Sequence, residues 1–134
     1  MIVADTNLLA YLHLPGTKSE VADDVLVKDP DWVSTPLWAS EFRNILFAFV
    51  RTQGMPPDLA RAHWQDAQTQ MAGHVLIPDP EHILAKADST SLSAYDAEYV
   101  ALAEALGVRL VTSDKEILRH ARGVACSPEA FVHG

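Results

Sequence analysis

Apolar runs no longer than a strand alternate along this chain with longer segments of helical period. No other feature constrains the fold as strongly. Ile2-Ala4, Trp32-Ser34, Val75-Ile77, Val108-Thr112 and Val124-Cys126 read as short buried strands. Between them, Thr6 to Leu12, Ser19 to Val27, Pro36 to Gln53, Pro57 to Ala72, Glu81 to Asp88, Ser93 to Leu106 and Lys115 to Arg122 read as helices. Strands that alternate with helices predict βαβ units. The expected fold is a three-layer α/β/α sandwich around a mainly parallel, roughly five-stranded sheet. Stop signals support the helix boundaries: Pro15-Gly16, Gly54, Gly73, Gly107 and Gly123 all lie at or just past a predicted end. None of the breaks is long enough to be a linker, so residues 1–134 read as one domain.

Two of the strands run into an acid. Ile2-Val3-Ala4 leads into Asp5, and the Val108 to Ser113 segment leads into Asp114. In an open parallel sheet, ligands bind outside the carboxyl ends of the strands. Two further acids lie near helix starts. Glu41 falls on the apolar stripe of the third helix with Trp38, Phe42, Ile45 and Phe49, and Asp96 follows Ser93 by three residues. Each acid has a plain explanation taken alone. Asp5 suits a helix N-cap, Ser93-x-x-Asp96 and Ser113-x-x-Glu116 resemble capping boxes, and Glu41 can pair with Arg43 or Arg109. Together they have another: four carboxylates at one sheet edge repel unless a cation or proton intervenes. An oxygen-only cluster suits Mg²⁺ or Mn²⁺, ions that activate water and stabilise charge on a phosphoryl group.

Composition narrows the alternatives. The 10 basic and 18 acidic residues give a net charge of −8, which argues against general adhesion to nucleic acid or membrane. It leaves room for a nucleic-acid substrate held at one site. The single cysteine, Cys126, rules out an intrachain disulfide and a thiolate zinc site. No signal peptide or membrane-spanning run is read, so a cytoplasmic location is expected. The six histidines are scattered and form no H-E-x-x-H. G-x-G-x-x-G, Walker A and G-x-S-x-G sequences are missing.

At this point the chain resembles a PIN-domain ribonuclease, and within that family a VapC-type toxin of a type II toxin–antitoxin system. The resemblance covers nearly the whole chain. It rests on Ile2-Val3-Ala4-Asp5-Thr6-Asn7, on Thr35 to Asn44, on Tyr95-Asp96-Ala97-Glu98-Tyr99-Val100-Ala101-Leu102-Ala103, and on Leu110-Val111-Thr112-Ser113-Asp114-Lys115. It implies a PIN-like fold and metal-dependent endonucleolytic cleavage of RNA. The family's metal-site acids carry over onto Asp5, Glu41, Asp96 and Asp114, with Thr6, Asn7, Thr112 and Ser113 as supporting polar residues. Some members carry a further acid one helical turn after the third site; here Glu98 and Glu116 are the outside candidates. The resemblance also implies a cognate antitoxin and a homodimer.

Two surfaces follow as expectations. Lys115, Arg119 and Arg122 form a basic stripe for RNA phosphates, or else a solvated helix face. Phe42, Phe47, Phe49, Val50, Leu59 and Trp64 of the third and fourth helices are core, or else line a groove for an antitoxin segment or a second copy. The rival functions are another Mg²⁺-dependent phosphoryl-transfer enzyme and a non-catalytic PIN-like binding module. The phosphatase rival wants Asp-x-Asp after the first strand, where this chain has Asp5-Thr6-Asn7.

Overall fold

The computed structural model describes all 134 residues, Met1–Gly134. Its elements run β1 (Ile2–Ala4), α1 (Thr6–His13), α2 (Ser19–Lys28), β2 (Trp32–Val33), α3 (Leu37–Gln53), α4 (Pro57–Met71), α5 (Pro80–Thr90), α6 (Ala94–Leu106), β3 (Arg109–Val111), α7 (Lys115–His120), β4 (Ala125–Cys126) and α8 (Pro128–His133). The sheet is parallel, ordered β2-β1-β3-β4. Ile2 stands opposite Trp32 on one side and Arg109 on the other.

Strand alternation divides the apolar residues between two cores. Ile2 and Ala4 of β1, with Trp32, Val111 and Cys126, face a layer built from α1 to α4, against which Phe131 of α8 also packs. Val3, Val33, Leu110 and Ala125 face α6 and α7 through Tyr99, Val100, Leu102, Ala103 and Ile117. Helices on both faces leave the strands with no solvated side, which is why they read as continuous apolar runs. The α/β/α sandwich expected from the sequence is therefore present.

The strand count differs. Val75–Ile77 does not join the sheet as a fifth strand. It makes an isolated bridge from Val75 to Ser34, with Leu76 N–H donating to Ser34 O at 2.9 Å. Ile77 is then 83% exposed, and Pro78, which has no N–H to donate, follows it. α8 was absent from the expected helices, although Ser127, Pro128 and Glu129 are an N-terminal signature: Ser127 caps Ala130 N–H at 3.1 Å, and Pro128 opens the helix. α7 ends at His120 rather than Arg122. Gly54 and Gly107 close α3 and α6 in the left-handed conformation, at φ 69° and 67°, where a side chain is strained.

α5 is attached differently from the rest. None of its residues is buried, and it lies along α6. Glu104 of α6 pairs with His82 at 2.8 Å and with Lys86 at 2.9 Å. These bonds hold the Glu104 carboxyl below its usual range, against the opposing effect of partial burial.

Candidate metal centre

Parallel pairing of β1 and β3 brings their carboxyl ends side by side, and the residues that follow build the site. Asp5 caps α1, accepting from Thr6 N–H at 2.7 Å through Oδ1. Its Oδ2 accepts from the Thr112 hydroxyl at 2.5 Å and from Asn7 Nδ2 at 3.3 Å. Asn7 turns its Oδ1 towards Ser113 N–H at 3.2 Å, which ties the end of β1 to the end of β3. Asp114 caps α7, accepting from Ile117 N–H at 3.0 Å through Oδ1. Asp96 lies in the first turn of α6, its N–H donating to Ser93 Oγ at 3.1 Å.

Glu41 enters from α3. Its Oε1 lies 2.9 Å from Thr6 Oγ1 and 2.5 Å from the Tyr99 hydroxyl, and those two oxygens are 2.7 Å apart. Each hydroxyl carries one proton, so two of the three contacts are hydrogen bonds at any instant. Either way the carboxylate is held against two hydroxyls. The ion pairs considered for Glu41 do not form. Arg43 lies over the Trp64 ring, 4.9 Å from its centroid, and Arg109, at the opposite edge of the sheet, donates to Ala125 O at 3.3 Å.

The four acids converge. Asp5, Glu41, Asp96 and Asp114 line one pocket of about 280 Å³, together with Thr6, Asn7, Asn44 and Ile45. No lysine, arginine or histidine belongs to that lining, and none of the four carboxylates takes part in an ion pair. Capping is thus real for Asp5 and Asp114, but it uses one oxygen of Asp114 and leaves the shared pocket unexplained. Burial pushes the Asp5 carboxyl up to about 6, against hydrogen bonds from Thr112 and Thr6, with Glu41 and Asp96 adding repulsion. Burial also raises Asp96, with Asp114 and Glu41 repelling its charged form. Tyr99 stays a phenol, because burial and then the nearby Asp5 carboxylate push its ionisation well above the ordinary range.

The donor set suits a hard divalent cation: oxygen only, crowded with negative charge and without a counter-ion from the chain. The acids do not close into a ready-made cage, and nowhere in the chain do three His, Cys, Asp or Glu groups stand together as a preformed metal cluster. A Mg²⁺-like ion that keeps most of its waters needs only one or two direct carboxylates, so the pocket fits an ion of that kind.

The other expected site residues divide. Thr6, Asn7 and Thr112 all touch the acids. Ser113 Oγ is buried without a hydrogen-bond partner, while its N–H binds Asn7. Glu98 lines a separate pocket with Ser40 and Ile77. Glu116 pairs with Arg119 at 2.7 Å; neither glutamate lines the carboxylate pocket. The basic stripe does not form on one helix face: Lys115 starts α7, Arg119 is neutralised by Glu116, and Arg122 lies beyond the helix end in another cleft. Among the aromatic candidates, Phe42 is buried and Phe49, Val50 and Trp64 pack against the core. Phe47 and Leu59 remain exposed. Asn44, which lines the pocket, and Tyr99, whose hydroxyl contacts Glu41, are the polar site residues not singled out from sequence. Both had a signal: each lies three residues after a site acid, and so on the same helix face.

The PIN domain family model matches residues 2–123. Ribonuclease VapC3 of Pyrobaculum aerophilum is 26% identical over 120 residues, covering 87% of this chain and 91% of that protein. The crystal structure of PAE2754 from Pyrobaculum aerophilum superposes with a TM-score of 0.75 at 27% identity, over 98% of this chain and 93% of that one. The structure of FitAcB from Neisseria gonorrhoeae gives a TM-score of 0.71 at 18% identity, over 96% and 99% of the two chains, a likeness of fold. The family match spans most of the residues, and the strands and helices that carry the acids fall within it; this chain belongs to the PIN domain family.

Proposed function

We propose that this chain is a Mg²⁺- or Mn²⁺-dependent endoribonuclease and the toxin half of a toxin–antitoxin pair. One observation carries the catalytic part: Asp5, Glu41, Asp96 and Asp114, from four separate elements, line one pocket that contains no basic side chain. Membership of the PIN family and similarity to a protein named as a ribonuclease supply the substrate class.

The four carboxylates would hold the ion. When bound, it supplies charge stabilisation for phosphoryl oxygens and lowers the pKa of water. The chain's own work is positioning. Thr112, Asn7 and Thr6 N–H fix both oxygens of Asp5; Thr6 and Tyr99 fix one oxygen of Glu41 and leave Oε2 free to face the pocket. Because these donors are set in advance, little reorganisation is required at the moment of reaction. Asn7 spans the ends of β1 and β3, so Asp5 and Asp114 keep their spacing.

The antitoxin reading rests on the family resemblance and on a groove of about 250 Å³ lined by Ala10, Tyr11, Leu14 and Phe49, which shares Asn7 and Ile45 with the carboxylate pocket. A segment lying there would cover the pocket's mouth. Exposed Phe47 and Leu59 support a homodimer face on α3 and α4. We further read residues 1–134 as one functional unit that works in the cytoplasm; no helix is long and apolar enough to cross a membrane.

Cleavage of a labelled RNA mixture with Mg²⁺, Mn²⁺ or chelator, by the wild-type chain, Asp5→Asn and Asp96→Asn, tests the reading. Metal-dependent internal cuts that both variants abolish support it. Equal cutting by all three proteins, or with and without chelator, sinks it.

A further inference from the structure

The largest cavity of the molecule is not the carboxylate pocket. It is a cleft of about 780 Å³ at the opposite, amino-terminal edge of the sheet, where β3 and β4 begin. Lys86, Arg109, His120 and Arg122 line it, and its only acid is Glu104. Glu104 is already engaged by His82 and Lys86. Arg109 and Arg122 have no carboxylate partner, and both residues are exposed. His120 lies 3.5 Å from Glu116, so the cations left for an anion are the two arginines, one of which also donates to Ala125 O; on a chain of net charge −8 with only 10 lysines and arginines, two such arginines in one cleft suit an anion.

We propose that this cleft binds backbone phosphates of RNA, as an anchoring site remote from the carboxylate pocket. The inference rests on the ribonuclease reading for the identity of the polyanion. A polynucleotide approaching four carboxylates is repelled, and the lining of their pocket contains no cation to offset this. Attraction must therefore come from elsewhere on the surface, and arginine is well suited to phosphate through its planar fork of donors. The two sites are also connected. α7 begins at Asp114 with exposed Lys115 and ends at His120 in the cleft, so its outer side leads from one site to the other. From Arg109 to Asp114 along β3 is on the order of 15 Å at about 3.3 Å per residue. A stacked strand covers that span in about five nucleotides.

The test is binding of fluorescent single-stranded RNA of 3 and of 15 nucleotides, in chelator so that no cutting occurs, across a salt series. The proteins are wild type, Arg109→Gln/Arg122→Gln, the exposed single variant Arg122→Glu, and Arg51→Gln/Arg61→Gln as a control with the same charge loss on α3 and α4. The proposal expects the cleft double variant to bind the 15-mer about tenfold more weakly, with a log–log salt slope shallower by about 1.4 for two lost phosphate contacts. Arg122→Glu should shift binding in the same direction, the trinucleotide should bind more weakly than the 15-mer and lose affinity in the same variants, and the control should change little. Unchanged 15-mer binding in both cleft variants overturns it, as does an equal loss in the control. A poly-glutamate peptide that needs Arg109 and Arg122 while RNA does not also overturns it, and assigns the cleft to an acidic protein partner. Cutting assays in Mg²⁺ keep the two readings apart. Wild type that binds RNA through the arginines but never cuts it refutes the nuclease and leaves the cleft standing. Wild type that cuts RNA with binding indifferent to the arginines does the reverse.

Discussion

The two edges of the sheet treat charge in opposite ways. At the carboxyl edge, four acids share one pocket with no counter-charge, and Asp5 is buried there among hydroxyl and amide donors. At the amino edge, Arg109 and Arg122 are exposed and have no carboxylate partner. The first arrangement stores unfavourable energy in the folded state, which a cation releases. The second stores little, because exposed charges cost almost nothing to keep. The comparison teaches that a site for a tightly held ion and a site for a loosely held polymer differ in desolvation more than in the number of charges.

The largest effect should come from breaking the carboxyl edge. Asp96→Asn should lower RNA cleavage by about a thousandfold, since charge stabilisation by a bound metal is worth several kcal/mol. Circular dichroism and gel filtration should show an intact fold, because Ser93 Oγ accepts from the Asp96 backbone N–H, which the substitution leaves in place. Retained activity above about a tenth of wild type contradicts the site.

Stability without metal should move the other way. Asp5 has its carboxyl raised from 3.8 to about 6. Below 3.8 the folded and unfolded states are both protonated, and the group is neutral for stability. As pH rises from 3.8 to 6 the unfolded state releases its proton first, so stability falls. Above about 6 the loss is complete, on the order of 3 kcal/mol. Asp5→Asn keeps an acceptor for Thr6 N–H and removes that charge. In chelator at pH 7 it should be more stable than wild type by about 1–3 kcal/mol in urea titrations, and it should lose most of the decline between pH 4 and 6. A variant that is less stable at pH 7 makes Asp5 a structural cap instead.

A smaller effect isolates positioning from ligation. Tyr99→Phe removes the hydroxyl held against Glu41 and Thr6 while keeping the ring in the core. We expect Mn²⁺ affinity to drop about 10- to 100-fold, as when a group that orients a metal ligand is lost, with a stability change of about 1 kcal/mol. Unchanged affinity by calorimetry assigns Tyr99 to packing alone.

The smallest effect lies at the other edge. Glu104→Gln releases Lys86 and His82 from their shared partner. It should cost about 1 kcal/mol or less, since the pair is a third exposed, and it should strengthen binding of the 15-mer about two- to threefold by removing the only acid of the cleft. Weaker binding breaks the contrast between the two edges.

How far these edges were legible in the sequence follows from what local pattern can express. The strands and most helices were legible because their apolar periods and their glycine stops are local. The failures lie where a tertiary relation decides. Val75–Ile77 has strand composition, yet only Val75 finds a partner at the sheet edge before Pro78. α8 is six residues long, too short for an apolar period to show, and only its capping residues mark it. At the site, the acids are legible because Asp5 and Asp114 stand at strand ends, Asp96 in a first helical turn and Glu41 on an apolar helix stripe. Tyr99 was not, because a tyrosine on a buried helix face looks like core until the position of Glu41 is known. Arg122 follows the same rule: helical spacing puts it on a stripe with Lys115, whereas α7 stops two residues earlier and delivers it to the opposite edge.

The account's central claim is that the four carboxylates form one cation site, and a Mn²⁺ titration of the metal-free chain tests it most directly. Calorimetry at pH 7, with thermal unfolding followed in parallel, should show saturable binding and a melting temperature that rises with Mn²⁺ concentration as linkage requires. Asp96→Asn should lose both responses while remaining folded. A wild-type chain with no heat and no shift at millimolar Mn²⁺, or an Asp96→Asn variant that responds like wild type, contradicts the claim.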